Sequence, residues 1–245
     1  MHFFWQELHA AVPLITHGDP QLMTVIGFTL QVAAVATIAS SLIGIPIGVT
    51  LALGRFRGRN AMRVAANVSL GIPPVLVGSI MFILLAGNGP GGSLHLILTR
   101  KVIFIAQTIL ALPFTIAMTA AALEGLPPGL LSQARLLGAS RLQLAVLATR
   151  EARIGVMAGV IAALGTALSE VAAVAILGGN LYDYNQTLAS ATLYNVSGGH
   201  YAQALAIAIV LIVMILVLMC ALGLLQHQTS FRLRFRSGSR LRSAT

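Results

Sequence analysis

One lysine, one cysteine, one tryptophan and six carboxylates are all that this 245-residue chain holds of those residue types. The lone cysteine, Cys220, excludes a disulfide within the chain and leaves a thiolate metal site without partners. The lone lysine, Lys101, follows Arg100 and lacks the Gly-x-x-x-x-Gly spacing of a phosphate-cradling loop, so ATP hydrolysis by that route is excluded. There is no His-Glu-x-x-His, no His/Cys cluster and no pair of facing carboxylates, which leaves an enzyme without a catalytic constellation. Charged residues amount to 9%, where an average soluble domain has about 25%, and that scarcity excludes a soluble globular enzyme.

What fills the chain instead is apolar, at 57% of residues. The intervals between charges are long: 35 uncharged residues between Asp19 and Arg55, 36 between Arg63 and Arg100, 22 between Lys101 and Glu124, and 48 between Asp183 and Arg232. Each exceeds the roughly 20 residues that cross a bilayer. After Arg153 the sequence is interrupted only by Glu170 and stays apolar as far as Gly178-Gly179. Five transmembrane helices are therefore predicted at about 22–53, 64–86, 102–123, 154–178 and 204–226. The fold class is an all-α polytopic membrane protein, with residues 1–245 forming a single transmembrane domain.

Thirteen of the fifteen basic residues fall on one side of such a bundle. They are Arg55, Arg57, Arg59 and Arg63 in the first loop, Arg135, Arg141, Arg150 and Arg153 in the third, and Arg232, Arg234, Arg236, Arg240 and Arg242 in the tail. The positive side is cytoplasmic, so the N-terminus is expected outside, the C-terminus inside, and the number of spans must be odd. The first 20 residues contain no Lys or Arg and so lack the basic stretch of a cleavable signal; the first span is expected to act as its own insertion signal. Phe3, Phe4, Trp5, Leu8, Val12 and Leu14 suggest a short interfacial helix with Trp5 at headgroup depth. The basic tail, 227–245, would suit nucleic acid in a soluble protein; directly after a span it reads as an anchor to anionic membrane lipid, with no nucleic-acid partner.

The loop from about 124 to 153 is longer than a connection requires. Leu130, Leu131, Ala134 and Leu137 recur at helical spacing after Pro127-Pro128, Gly138 interrupts them, and Leu142, Ala145, Val146 and Thr149 resume the pattern. Two amphipathic helices on the cytoplasmic side suggest a docking surface for another protein.

The segment Ser132-Gln133-Ala134-Arg135-Leu136-Leu137-Gly138-Ala139-Ser140 resembles the EAA loop of ABC importer permeases. Gly138 stands at the motif's glycine and Ala134 at its second alanine, while Ser132 and Gln133 replace the usual Glu and Ala. In Thr149-Arg150-Glu151-Ala152-Arg153-Ile154-Gly155 the usual Leu-Pro is replaced by Arg150-Glu151, a departure similar to that of the tungstate permease family. Gly71–Gly78, Ile105–Pro113 and Leu168–Asn180 resemble the same family, which is related to molybdate permeases; together the likeness covers most of residues 20–225.

The resemblance implies a type I ABC importer permease fold and the role of membrane subunit in an ATP-driven importer, for tungstate or, as runner-up, for molybdate or another oxyanion. A stand-alone channel or secondary transporter would be expected to carry more paired intramembrane ionisable groups. It implies a second copy of the chain to complete the path, a separate ABC ATPase that carries ATP and Mg and docks on 124–153, and an extracytoplasmic substrate-binding protein. No cofactor is expected on this chain, and its place is the bacterial or archaeal cell membrane.

Site candidates follow in two groups. For ATPase coupling they are Ser132, Gln133, Ala134, Arg135, Gly138, Ala139, Arg141 and Glu151. Gly138 either holds a left-handed turn that seats a coupling helix in an ATPase groove or simply caps a helix. Arg135 and Arg141 either pair with acids of the ATPase or serve as topology charges, and Glu151, between Arg150 and Arg153, is placed for a local ion pair of little energy. For the pore or gate they are Pro73, Pro74, Pro113, Glu170, Ser69, Thr115 and Ser169. The prolines either free carbonyls beside a cavity or serve packing. Glu170, the lone acid within a span, is protonated, paired, or bound to backbone at a helix break near Gly178-Gly179, and a gating or structural role is expected because an anionic substrate would be repelled. Gly44, Gly48, Gly155, Gly159 and Gly165 offer small-residue spacing for close helix contact. His200 and Lys101 either meet an oxyanion or a binding protein at the outer mouth or are wetted loop side chains. Asn185-Gln186-Thr187 and Asn195-Val196-Ser197 match the glycosylation pattern.

Overall fold

The computed structural model describes residues 2–16, 20–182 and 184–242. Asp19 and Asp183, two charges that bound the expected spans, and the side chains of Phe3, Phe4 and the basic tail lie outside the described residues. The helices are α1 His2–Thr16, α2 Pro20–Leu53, α3 Arg59–Ser69, α4 Pro74–Leu85, α5 Arg100–Glu124, α6 Leu130–Leu136, α7 Arg141–Glu151, α8 Arg153–Ser169, α9 Ala172–Gly178, α10 Leu188–Ser197 and α11 Tyr201–Arg242. With no strand among the described residues, the chain is an all-α polytopic protein.

Helix–helix contact in lipid gains nothing from the hydrophobic effect, so close packing must come from small side chains. Here α5 is the axis. Gly44 and Gly48 of α2 lie against Thr115, Ile116 and Thr119 of α5; Gly155 and Gly159 of α8 lie against Ala122 and Met118 on another side of it; and Gly165 of α8 faces Met219 of α11. A Cβ on Gly48 would stand 2.7 Å from the Ile116 carbonyl oxygen, and one on Gly155 would stand 2.4 Å from the Ala122 Cβ. The order of these contacts makes α2 parallel to α5 and α8 antiparallel to it. All five glycines expected at helix contacts are found in them.

Three helical segments are long and apolar enough to cross a membrane alone: Leu22–Leu53, Arg100–Glu124 and Tyr201–Leu224. The expected continuous helix at 64–86 is instead two, α3 and α4, bent by 106°. The cause is local. A residue preceding proline is pushed out of the helical region, and Pro73-Pro74 places that constraint after Ile72, while Pro74 suits the first turn of α4. At 12 residues, α4 rises only about 18 Å, short of the ~30 Å hydrocarbon core. The expected helix at 154–178 is likewise broken: Glu170 is extended (φ −75°, ψ 130°), and α9 restarts at Ala172. A second sharp bend, of 73°, joins α7 to α8; counting each bent pair as one span gives up to five.

The basic residues are knitted together at one end. Arg59 donates from Nε to the Leu51 carbonyl (2.5 Å) and from Nη2 to the Ala52 carbonyl (2.6 Å), satisfying acceptors that the last turn of α2 leaves open. Its guanidinium also lies 3.5 Å from Glu124 at the end of α5, and Arg63 pairs with the same carboxylate. Gln226 of α11 donates to the Ile154 carbonyl of α8 at 2.8 Å. The first loop, the 124–153 segment and the descent of α11 therefore share one end of the bundle, and Arg100 and Lys101 stand at the other.

Alanine substitution along α2 separates packing from propensity. Gly48→Ala is expected to destabilise the purified protein by about 1–3 kcal/mol through overpacking, whereas Gly27→Ala, with nothing within 4 Å of the added Cβ, should be neutral or slightly stabilising. Thermal unfolding in detergent, followed by size exclusion, reads the difference.

Candidate functional site

The 124–153 segment is a helix pair anchored on one face. Ala148 of α7 is buried with Leu123 of α5 and Val156 of α8, and Leu144 of α7 is buried as well. Ser140 caps α7: its backbone N–H donates to Gln143 Oε1 (2.7 Å), and its Oγ accepts from the Gln143 N–H (3.3 Å). α6 ends in a Schellman turn, with the Ala139 N–H on the Ala134 carbonyl and the Gly138 N–H on the Arg135 carbonyl. Gly138 has φ +85° and nothing within 4 Å of a notional Cβ, so the backbone angle alone demands glycine there. The left-handed turn and the helix cap are one and the same feature.

That turn presents an apolar tip. Leu136, Leu137 and Leu142 are 88%, 89% and 75% exposed. Ser132, Gln133, Arg135, Arg141 and Glu151 are exposed around the pair, and Ala134 and Ala139 are half-buried. The acid that ties this end together is Glu124, 61 residues from Arg63, a pairing that local sequence spacing does not reveal.

Several pore candidates meet at the α3–α4 elbow. Ser69, Pro74 and Pro113 line a cavity of about 320 Å³, with Ile109, Phe114 and Thr166 also in its wall. Pro113 has no N–H to offer the Ile109 carbonyl, so an acceptor of α5 is released beside this cavity. Pro73 is exposed at the elbow. Ser69 and Ser169 donate to carbonyls of their own helices, those of Ala65 (2.7 Å) and Gly165 (2.9 Å). Thr115 is fully buried, and its hydroxyl donates across the α2–α5 contact to the Ser40 carbonyl at 2.9 Å. The absence of a side chain on Gly44 makes room for that hydroxyl.

Glu170 binds backbone at a helix break, one of the three options open for it, but the break lies at Glu170-Val171 and not near Gly178-Gly179. Its Oε1 accepts from the Ala173 N–H at 2.9 Å, capping the start of α9. The two broken elements support each other: α4 approaches α9 so closely that a Cβ on Gly78 would lie 2.9 Å from the Ala173 Cα.

The opposite end is held by polar residues that the glycosylation pattern disguises. Asn185 is completely buried; its amide donates to the carbonyls of Gly178 (2.5 Å) and Leu98 (3.4 Å) while its Oδ1 accepts from the Leu181 N–H (2.8 Å). Thr187 and Ser190 form the capping box of α10, and Thr29 Oγ1 of α2 accepts from the Leu188 N–H at 2.9 Å. Burial removes Asn185 as a glycan acceptor in the folded chain. Asn195 is half-buried and donates to the Ala191 carbonyl. Arg100 donates to the Tyr184 carbonyl (2.6 Å), its guanidinium 5.0 Å from the Phe28 ring centre and 5.1 Å from that of Tyr184. Lys101 and His200 are exposed, and no group of three or more metal-ligating side chains occurs among the described residues.

Residues 44–231 match the model of the family described as binding-protein-dependent transport system inner membrane component. The chain is 32% identical to a probable anion ABC transporter permease protein of Haloferax volcanii over 70% of this chain and 74% of that one. It is 28% identical to the tungstate uptake system permease protein TupB of Peptoclostridium acidaminophilum over 84% of this chain and 90% of that one. Its fold is similar to that of the inward-facing methionine ABC transporter MetNI, with a TM-score of 0.66, 17% identity, and coverage of 85% of this chain and 95% of that one.

The Asn185 network predicts a graded response. Asn185→Leu strands three backbone groups, of which the buried Gly178 carbonyl alone is worth about 1–3 kcal/mol when left unsatisfied, and is expected to lower the melting temperature sharply. Asn195→Ala should cost far less. Equal shifts for the two variants would mean that the buried network does not hold this end.

Proposed function

Because this chain belongs to the family of binding-protein-dependent transport system inner membrane components, as a match over residues 44–231 shows, and has the type I ABC importer permease fold, we propose that it is the tungstate-importing member of its kind. It works as a dimer of identical subunits with an ABC ATPase at its basic, cytoplasmic end and a substrate-binding protein at the outer end. The extended likeness to a tungstate uptake permease supports the substrate. The observation that carries the mechanism is the exposed leucine tip at Gly138, a surface that a soluble partner must cover.

In this reading ATP is hydrolysed by the separate subunit. Closure of the ATPase dimer moves the α6–α7 pair, and α7 transmits the movement to α8 and so to α5 through their shared contacts. The α3–α4 elbow, with Ser69, Pro73, Pro74 and Pro113, and the capped break at Glu170-Val171, just after Ser169, are the parts of the path that give way. Tetrahedral oxyanions are recognised by oriented donors, and the three unbroken apolar spans contain no Lys or Arg apart from Arg100 and Lys101 at the start of α5. Selection therefore rests with the binding protein, and weak binding in the path favours release.

Proteoliposomes holding this chain, its ATPase and its binding protein should take up tungstate only with ATP. Supplying a binding protein selective for another oxyanion, engineered to dock on the same face, should redirect transport to that anion. Uptake of molybdate in preference to tungstate with the native binding protein would assign the other oxyanion, and flux without ATP would make the chain a channel.

Gly138→Val forces a β-branched residue to positive φ, a strain of about 1–3 kcal/mol. The variant should insert normally yet lose about tenfold or more in ATPase affinity or in coupled uptake. Normal co-purification together with normal transport would remove the coupling role from this turn.

A further inference from the structure

At the basic end, a groove of about 460 Å³ runs between the last turns of α2 and the α6–α7 pair. Val49, Leu53 and Leu144 give it apolar walls, and Arg55, Arg135 and Arg141 stand around it. Among the described residues no carboxylate lines it. Among the described residues none of these three arginines has an ion-pair partner, because Glu124 is engaged by Arg59 and Arg63. All three arginines are exposed. The leucine tip, Leu136, Leu137 and Leu142, is absent from the groove's lining, so a partner can cover the tip without filling the groove.

The two halves of this lining ask for different things from one ligand. The wall formed by Val49 and Leu53 belongs to the last turns of Leu22–Leu53, an apolar segment long enough to cross a membrane. The arginine rim begins where that helix stops, and guanidinium forks bind phosphate oxygens bidentately. We propose that the groove binds one anionic phospholipid of the adjacent leaflet, with its phosphate among Arg55, Arg135 and Arg141 and an acyl chain along Val49 and Leu53. Charge complementarity selects an anionic head over a zwitterionic one. Such a lipid bridges α2 to the coupling pair, and the site is distinct from the diffuse attraction of a basic tail to the membrane surface.

The test uses the assembled transporter, permease with ATPase, purified in detergent and titrated with phosphatidylglycerol or phosphatidylcholine, with bound lipid counted by native mass spectrometry. Phosphatidylglycerol should bind more tightly than phosphatidylcholine. Arg55→Gln and Arg141→Gln should each weaken it on the order of fivefold, while Arg57→Gln, in the same loop as Arg55 but outside the groove, leaves it unchanged. Arg55→Lys, which keeps the charge but loses the planar fork, should weaken binding less; it serves where Arg55→Gln does not accumulate. Equal binding of the two lipids, or affinity indifferent to Arg55, overturns the proposal. Displacement of lipid by millimolar inorganic phosphate assigns the groove to free anions. Lipid binding seen only when the ATPase is absent assigns the arginines to carboxylates of that partner. Either result overturns it as well.

Discussion

Everything in this structure hangs on how closely other helices approach α5. Lipid offers no reward for bringing apolar helices together, so the bundle depends on contact at van der Waals range, and that range is reached because Gly44, Gly48, Gly155 and Gly159 present no side chain. Where Gly44 leaves space, Thr115 fills it with a hydroxyl that bonds to the α2 backbone. The result is a core whose geometry tolerates little adjustment, to which the broken and exposed elements are attached.

Those elements divide by end. At one end, buried amides and hydroxyls around Asn185 and Thr187 satisfy the backbone of an irregular segment that would otherwise be costly to bury. At the other, Arg59 and Arg63 bind Glu124, and a helix pair projects three leucines. Between the ends lie the two helix breaks, at Pro73-Pro74 and at Glu170. They face each other through α4 and α9, so the parts of the chain least able to remain straight are packed together in the span region. A transporter that works by rocking needs this combination: a stiff axis, compliant joints and a handle outside the membrane.

The sequence made some of this legible and hid the rest for identifiable reasons. The spans of α2, α5 and α11 stand out because continuous apolar runs are bounded by charge. The helix pair at 124–153 is equally plain, since its periodicity and Gly138 agree. The second and fourth spans read as continuous because hydropathy does not register a bend; the residues responsible, Pro73-Pro74 and Glu170, are visible in the sequence, but the 106° angle is not. The role of Glu124 is hidden in the sequence because its partners, Arg59 and Arg63, lie in a distant loop, whereas Glu151 has arginines nearby in sequence. Asn185-Gln186-Thr187 matches the glycosylation pattern, and only the fold reveals that Asn185 is sealed against the backbone of Gly178 and Leu98. A polar run inside a 48-residue charge-free interval was the clue available.

The central claim is that the bundle's two ends meet different partners, with the leucine tip covered by the ATPase. Its most direct measurement is site-specific photo-crosslinking in membranes, with the photoreactive residue at Leu137 or at Leu94, both exposed and at opposite ends. The account predicts a Leu137 adduct with the ATPase and none from Leu94. An ATPase adduct from Leu94, or its absence from Leu137 in a transporting complex, would contradict it.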